Sequence, residues 1–285
     1  MTVATEATAN VSRYYGRPIL KPVVWRWEVP AYFFVGGLAG ASAVLALAAR
    51  LTGQRQLARN ALLAAAGGAA LCPPLLVRDL GRPERFHHML RVFRPTSPMN
   101  AGSWILAAFA SASAAAAAAE LSGRVPALGR ATEAAAGLLG SAVASYTGAL
   151  VANTSVPAWH EARRWLPLLF ASGAAASAGA LASVVTAEEE AQAARRLALL
   201  GATAELVFTA GMERRLGELA APYRSGTAAP LARASRVLTA TGATLMALAG
   251  RRRPTTSAAG AMLLAGAAAQ RFAVWQAGRE SARRT

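Results

Sequence analysis

The stretch VPAYFFVGGLAGASAVLALAARL, residues 29–51, decides the fold class of this chain. It is apolar over a length sufficient for a helix to cross a bilayer, which needs roughly 20 residues. Similar blocks recur to the end of the sequence, so that 54% of the 285 residues are hydrophobic and only 15% are charged. A soluble domain carries roughly 25% charged residues. The composition therefore predicts an integral membrane protein.

Eight such apolar segments are predicted. All are expected to be helices, because isolated strands leave backbone groups unpaired in lipid. They cover residues 29–51, 57–77, 101–121, 134–156, 165–187, 197–212, 231–249 and 255–275. Small residues such as Gly36 and Gly40 predict close helix packing. The expected fold is an all-α integral membrane protein with eight transmembrane helices in two four-helix bundles.

The connection VPAWHEARRWLP, residues 156–167, is the predicted division between the two bundles because it interrupts the apolar pattern with Pro, Trp and Arg. Residues 1–28 are then a polar N-terminal tail, and residues 276–285 a C-terminal tail. Residues 29–156 form the first bundle, which includes the connection 78–100. Residues 157–275 form the second bundle.

The charge of the chain is strongly positive, with 30 Lys and Arg residues against 14 Asp and Glu. These residues lie mainly in short connections between apolar blocks, a pattern that indicates topology and lipid contact rather than nucleic-acid binding. About two thirds of them, Arg271 included, are assigned to the side that holds both termini and the connection 78–100. The positive-inside rule then predicts a multi-pass cell-membrane protein with this side in the cytoplasm.

Histidine and cysteine limit the cofactors that the chain is expected to carry. The three histidines fall in connections, so no predicted span offers an axial haem ligand, and the single cysteine, Cys72, cannot hold an iron–sulfur cluster. We therefore expect no haem, cluster or other metal in this chain. Any redox function would depend on an external cofactor or a diffusible substrate.

Two polar groups inside the helices are candidate functional residues. At the start of the first segment, Glu28 and Tyr32 are four residues apart and share a helix face, although an interfacial aromatic belt would give the same pattern. In the fourth segment, Tyr146 and Asn153 are predicted to face one cavity, or to hydrogen-bond between helices.

Glu205 interrupts the sixth segment. A carboxylate at membrane depth costs roughly 2.5–3.5 kcal/mol on insertion scales. Its presence indicates a proton relay or a buried ion-pair partner, unless the segment is short or tilted and Glu205 lies near the interface.

The connection RDLGRPERFHHMLRVFRPTSPMNAGSW, residues 78–104, is the most chemically mixed stretch of the chain. Phe86, Leu90 and Phe93 have helical spacing and would form one apolar face along the membrane surface. Residues 100–103 are expected to cap the third helix. A solvated basic loop set by topology is the alternative, but it would not require this density of Gly, Pro, Asp, Glu and His.

These strings together resemble the membrane subunits of the polysulfide reductase, or NrfD, family. The matching pieces are WRWEVPAYFFVGG (25–37), DLGRPERFHHMLRVFRPTSPMNAGSW (79–104), YTGALVANTSVPAW (146–159), LPLLFASGAAASAGA (166–180) and ELVFTAGMERRLG (205–217). The resemblance implies a subunit that binds menaquinone or another quinone. It also implies an iron–sulfur, ferredoxin-like partner that connects to a molybdenum or tungsten bis-pterin enzyme, of the formate-dehydrogenase or sulfur-compound reductase kind.

The resemblance also assigns residues. The quinone site would contain Glu28, Tyr32 and Tyr146, with Asp79 and His87 at its mouth. The partner-docking residues would be Arg78, Arg82, Glu84, Arg85, Arg91 and Arg94. Members of this family often face partners outside the cytoplasmic membrane, in conflict with the arginine count. A proton-coupled transporter built around Glu205 and a plain membrane anchor are the alternative functions.

Overall fold

A computed structural model of the chain describes residue 20, residues 23–248 and residues 252–284. These residues form helices and no strand. Eight of the helices in the described ranges have twenty residues or more: α1 Glu28–Leu51, α2 Arg55–Asp79, α3 Pro98–Ser122, α4 Pro126–Ala152, α5 Leu166–Val185, α6 Ala191–Leu216, α7 Ala229–Leu248 and α8 Arg253–Arg283. Most of the predicted N-terminal tail, with Arg13, Arg17 and Lys21, lies outside the described residues.

Five of these helices, α1 to α5, are long and apolar enough to cross a membrane. The prediction of an all-helical membrane protein is therefore confirmed. The later helices are more polar, because α6 carries Arg195, Arg196 and Glu205, and α8 carries Arg271. Length and composition alone do not identify them as spans.

Helix ends follow local sequence signals that shift several predicted boundaries. Pro98 and Pro126 occupy the first positions of α3 and α4, where a missing N–H costs nothing. Ser97, and not residues 100–103 as predicted, caps α3 by accepting a hydrogen bond from the Asn100 N–H at 3.5 Å. Gly123 ends α3 in the left-handed conformation, with φ of 66°.

Two predicted boundaries differ more widely from the structure. The predicted C-terminal tail from residue 276 is a continuation of α8 to Arg283, because Ala277 and Gly278 are buried in the protein core. In the fourth segment the helix ends at Ala152, four residues earlier than expected. Asn153 therefore lies outside α4.

Helix packing places α1 at the centre of the contacts. It packs against α2 and α4, and α3 packs against both of these helices. In the same way α5 and α7 both pack against α6 and α8. The two groups meet where α5 contacts α1 and α4, and where α8 contacts α1.

The approach of α1 to α4 depends on two glycines. A Cβ atom built on Gly40 would lie 2.4 Å from the Gly140 carbonyl oxygen, and one on Gly140 would lie 2.4 Å from the Gly40 carbonyl oxygen. No larger residue fits at either position without separating the helices. This contact is the close packing that the small residues of the first segment predicted.

We expect Gly40→Ala to lower the stability of the purified protein in detergent by about 1–3 kcal/mol, because the added methyl group overpacks the contact with α4. Gly67→Ala is the matched control, since nothing lies within 4 Å of its Cβ position in α2. Replacing that helical glycine should instead stabilise the protein by roughly 0.5–1 kcal/mol. The measurement is the midpoint of thermal unfolding, and equal midpoints for the two variants would contradict the close approach.

Candidate functional site

A cleft opens among α1, α2, α3 and α4 at the end of the helices that carries the connection between α2 and α3. Its walls are mostly apolar, with Val29 and Phe33 from α1, Leu76 from α2, Leu106 from α3 and Leu150 from α4. The cavity volume is about 100 Å³. This is smaller than the cavity of roughly 150 Å³ that accepts a benzene molecule.

Three of the predicted site residues line this cleft together: Tyr32, Asp79 and Tyr146. Tyr32 lies on α1 and is 4% exposed. Its ring packs beside Gly36, where an added Cβ would lie 3.2 Å from the ring. The spacing of Tyr32 and Gly36 therefore serves to seat the tyrosine ring against its own helix.

Tyr146 reaches the cleft from α4. Its hydroxyl donates a hydrogen bond to the carbonyl oxygen of Pro98, the first residue of α3. Gly102, one turn further along α3, makes room for the ring, since a Cβ there would lie 2.2 Å from the tyrosine Oη. Sequence reasoning missed Gly102, although a glycine in the first turns of a helix is a signal of close approach.

Asp79 closes α2 and connects it to the start of α1. Its Oδ1 accepts a hydrogen bond from the backbone N–H of Arg26 at 3.0 Å. The carboxylate thus lies just before the first turn of α1, where negative charge is favourable. Asp79 positions the segment that contains Trp25, another residue of the cleft wall.

Trp25 joins the cleft to the second group of helices. Its ring stacks on Trp159 with ring centroids 5.5 Å apart, and its carbonyl oxygen accepts a hydrogen bond from Trp275 Nε1 at 3.1 Å. Trp159 in turn donates from Nε1 to the Val274 carbonyl of α8 at 2.8 Å. Sequence reasoning missed this role of Trp25.

The other two predicted quinone-site residues, Glu28 and His87, are not part of the lining. Glu28 is buried at the start of α1, 3% exposed, and its Oε2 has no hydrogen-bond partner among the described residues. His87 lies in the short helical segment Pro83–Leu90, which has no buried residue. Its ring packs edge-on against His88, with centroids 4.4 Å apart.

Asn153 does not share the Tyr146 cleft, contrary to expectation. Because α4 ends at Ala152, Asn153 lines a separate, more polar opening together with Thr154, His160 and Glu161.

The basic connection over the cleft is exposed. Its charged residues Arg78, Arg82, Glu84, Arg85, Arg91 and Arg94 all face solvent. Within the described part of the chain none of them forms an ion pair. Phe86, Leu90 and Phe93 are also exposed. The connection is therefore a basic surface with an apolar component.

Asn100 holds this connection in place. Its side chain accepts a hydrogen bond from the Arg94 N–H at 2.6 Å and donates one to the Met89 carbonyl at 2.8 Å. Met89 is itself part of the cleft lining. The position of the exposed connection is thus tied to the shape of the cleft.

Glu205 lies in a second polar region, away from the cleft. It is buried, and its Oε1 lies 3.8 Å from Nη1 of Arg271 on α8. Of the alternatives for Glu205, the buried ion pair is observed. The assignment of Arg271 to the C-terminal charges is wrong, because its side chain is 2% exposed and lies among helices. A single arginine near the end of an apolar block gave no signal that it was buried.

No group of three His, Cys, Asp or Glu side chains among the described residues is placed to hold a metal ion. The groups that could contact a small organic molecule are the two tyrosines, the aspartate and the apolar walls of the cleft.

The fold and the cleft together define a helical membrane protein with a small, mostly apolar cleft beneath a basic surface. The family described as polysulphide reductase, NrfD, matches residues 19–212. This is more than half of the chain, and the chain belongs to this family, as its sequence motifs predicted. The comparison with curated proteins gives no match. Membership implies a membrane subunit of a quinone-linked oxidoreductase complex, which works with other subunits.

Asp79→Ala should loosen the segment before α1, because the Arg26 N–H loses its acceptor. We expect faster hydrogen exchange of the peptide that contains Arg26, measured by mass spectrometry, and a loss of about 1 kcal/mol of stability, as for other helix-start acceptors. Asp79→Asn keeps an oxygen acceptor and should exchange nearly as slowly as the wild type. Equal acceleration in both variants would mean that the hydrogen bond does not anchor α1.

Proposed function

We propose that the chain is the quinone-reactive subunit of its complex. It would pass electrons between the membrane quinone pool and an iron–sulfur subunit of a molybdenum or tungsten bis-pterin enzyme, of the formate-dehydrogenase or sulfur-compound reductase kind. The observation that carries this proposal is the cleft, which brings Tyr32, Asp79 and Tyr146 together directly beneath an exposed basic surface.

The residues of the cleft fit a quinone head group. Apolar walls suit a ring, and the polar atoms of the lining suit the ring oxygens. Menaquinone, or another quinone, would exchange two electrons and two protons between its quinone and quinol forms. Its tail would leave through the open side of the cleft toward lipid.

The polar residues would take distinct roles. The Tyr32 hydroxyl would donate a hydrogen bond to one quinone oxygen. The Tyr146 hydroxyl donates to Pro98 and keeps lone pairs free, so it would accept from a quinol hydroxyl. Asp79 would take or give a proton at the mouth. Glu28, one turn before Tyr32, and His87, on the exposed segment, would carry protons further from the cleft.

The arrangement in the membrane is also a proposal. We infer that all eight long helices span the bilayer as two four-helix bundles, α1–α4 and α5–α8. The helix contacts support this, since each group of four packs as a closed ring. Charged residues in α6 and α8 make insertion of these helices into the bilayer less favourable. This cost is reduced for Glu205 and Arg271, because the two side chains pair with one another.

The basic connection would dock the iron–sulfur partner. Its arginines have no acidic partner within the described chain, so they are free to contact an acidic surface. The arginine count favours a cytoplasmic position for this side, but arginines that serve docking would bias that count. The burial of Arg271 removes one charge from it.

Tyr32→Phe and Tyr146→Phe should each weaken binding of a redox-inactive quinone analogue to the protein in liposomes. Loss of one hydrogen bond costs about 0.5–1.5 kcal/mol, which corresponds to a roughly 2- to 13-fold rise in Kd. Tyr223→Phe is the matched control, because Tyr223 lies in the connection between α6 and α7, is buried, and does not line the cleft. If the wild-type protein does not bind the analogue, the result would favour the alternative function of a plain membrane anchor.

Replacing Arg82 and Arg85 by Glu should release the iron–sulfur partner and leave the helical fold intact. Like charges across an interface are repulsive, and both residues are exposed, so neither supports the core. Co-purification of the complex measures the effect. Arg59→Glu with Arg124→Glu is the control, since these exposed arginines lie at the opposite ends of α2 and α3. Co-purification that stays unchanged in the Arg82 and Arg85 variant would exclude this connection as the docking surface.

A further inference from the structure

A row of buried polar side chains follows one face of α6, outside the cleft and outside its proposed chemistry. Glu205, Thr209 and Glu213 are four residues apart and are 2%, 5% and 7% exposed. Side chains at this spacing lie above one another on a helix. We call these three residues the α6 polar row. It spans about 12 Å along the helix axis and ends near Leu216, where α6 ends.

The inner end of the α6 polar row is the pair of Glu205 and Arg271. At 3.8 Å the two side chains do not form a hydrogen bond, and both carboxylate oxygens of Glu205 lack a protein partner among the described residues. Arg271 is held instead by Phe170, to whose carbonyl Nη2 donates at 2.7 Å and over whose ring the guanidinium lies at 4.2 Å. Arg271 is therefore fixed independently of Glu205.

Space beside the pair is provided by Gly173 on α5. A Cβ atom at this position would lie 2.8 Å from both Glu205 Oε1 and Arg271 Nη2. Nη1 and Nε of Arg271 also lack a protein partner among the described residues. Two buried charged groups thus face one another across a gap with several unpaired polar atoms.

The outer end is Glu213, which reaches the protein surface through arginine. Its Oε2 pairs with Arg236 Nη1 at 3.3 Å, and the Arg236 side chain is 39% exposed. Arg224 donates to the Glu213 backbone carbonyl at 3.0 Å. Glu213 Oε1 and the nearby Tyr223 hydroxyl are buried without a protein partner in the described part of the chain.

Helices α7 and α8 of the same group also bury polar side chains. Thr239 on α7 and Gln270 on α8 are both 1% exposed, and their Oγ1 and Nε2 atoms also lack a protein partner within the described ranges. Buried polar groups without a protein partner are normally bridged by internal water, which makes about three hydrogen bonds per molecule. A purely structural ion pair would instead be expected to pair its atoms directly.

We propose that the α6 polar row is a hydrated proton path from the aqueous face at Arg236 to Glu205. A proton enters at Glu213, moves through water beside Thr209, and forms an O–H bond with a Glu205 carboxylate oxygen; it leaves by the reverse route. The Thr209 hydroxyl donates to the Glu205 backbone carbonyl at 2.7 Å, so it would hold this water as a hydrogen-bond acceptor. Arg271 keeps its charge throughout, because Phe170 holds it in both states. The path develops the proton-relay interpretation of Glu205 that the sequence offered as one alternative, and it does not depend on the quinone cleft.

The test is infrared spectroscopy of the full chain in lipid vesicles during exchange into D₂O. The protonated carboxyl band of Glu205 is identified as the band that Glu205→Gln removes. In the wild type this band should shift to its deuterated position in the first spectra. Glu213→Leu or Thr209→Val should slow the shift at least about tenfold, equivalent to a barrier of about 1.4 kcal/mol.

Glu218→Leu is the matched control, because Glu218 is an exposed carboxylate just beyond α6 and its loss should not change the rate. A wild-type band that resists deuteration for hours would overturn the proposal, as would the absence of any protonated Glu205 band at all accessible pH values. Exchange at the wild-type rate in both Glu213→Leu and Thr209→Val would also overturn it. Binding of the quinone analogue, measured separately, reports on the cleft alone.

Discussion

Polar groups enclosed among apolar helices must find their partners inside the protein, and this constraint organises the whole structure. Backbone groups satisfy it by forming helices. The Trp275 N–H and the Asp79 carboxylate satisfy it by bonding the backbone just before α1. Glu205 and Arg271 form an ion pair, but several of their polar atoms have no hydrogen-bond partner among the described residues, which makes the two residues functional candidates.

The long apolar segments were predictable from the sequence because each has a length and composition typical of a membrane helix. The predicted first segment, 29–51, differs from α1 by one residue. Boundaries were less predictable where short polar signals compete with apolar patterns. Asn153 was placed in a helix that ends before it, since the predicted segment was extended to Val156 across three polar residues, Asn153, Thr154 and Ser155.

The cleft was predictable in part, through the motifs that match the family. These motifs placed Tyr32, Tyr146 and Asp79 near one another, and the structure brings all three to one lining. Contacts between distant parts of the chain could not be read from one sequence. Gly102 supports Tyr146 from another helix, and Arg271 meets Glu205 across 66 positions of sequence. Nothing in the local sequence of either residue indicates its partner.

The tryptophan contacts have a consequence for biogenesis. Trp25, which walls the cleft, stacks on a ring in the middle of the chain and bonds an indole in its last helix. The ribosome delivers these supports in sequence order, so the N-terminal helices enter the membrane long before Trp275 is made. Maturation of the site is then a late event, coupled to the synthesis of α8, and helices α1 to α4 would not acquire their final form as an independent unit.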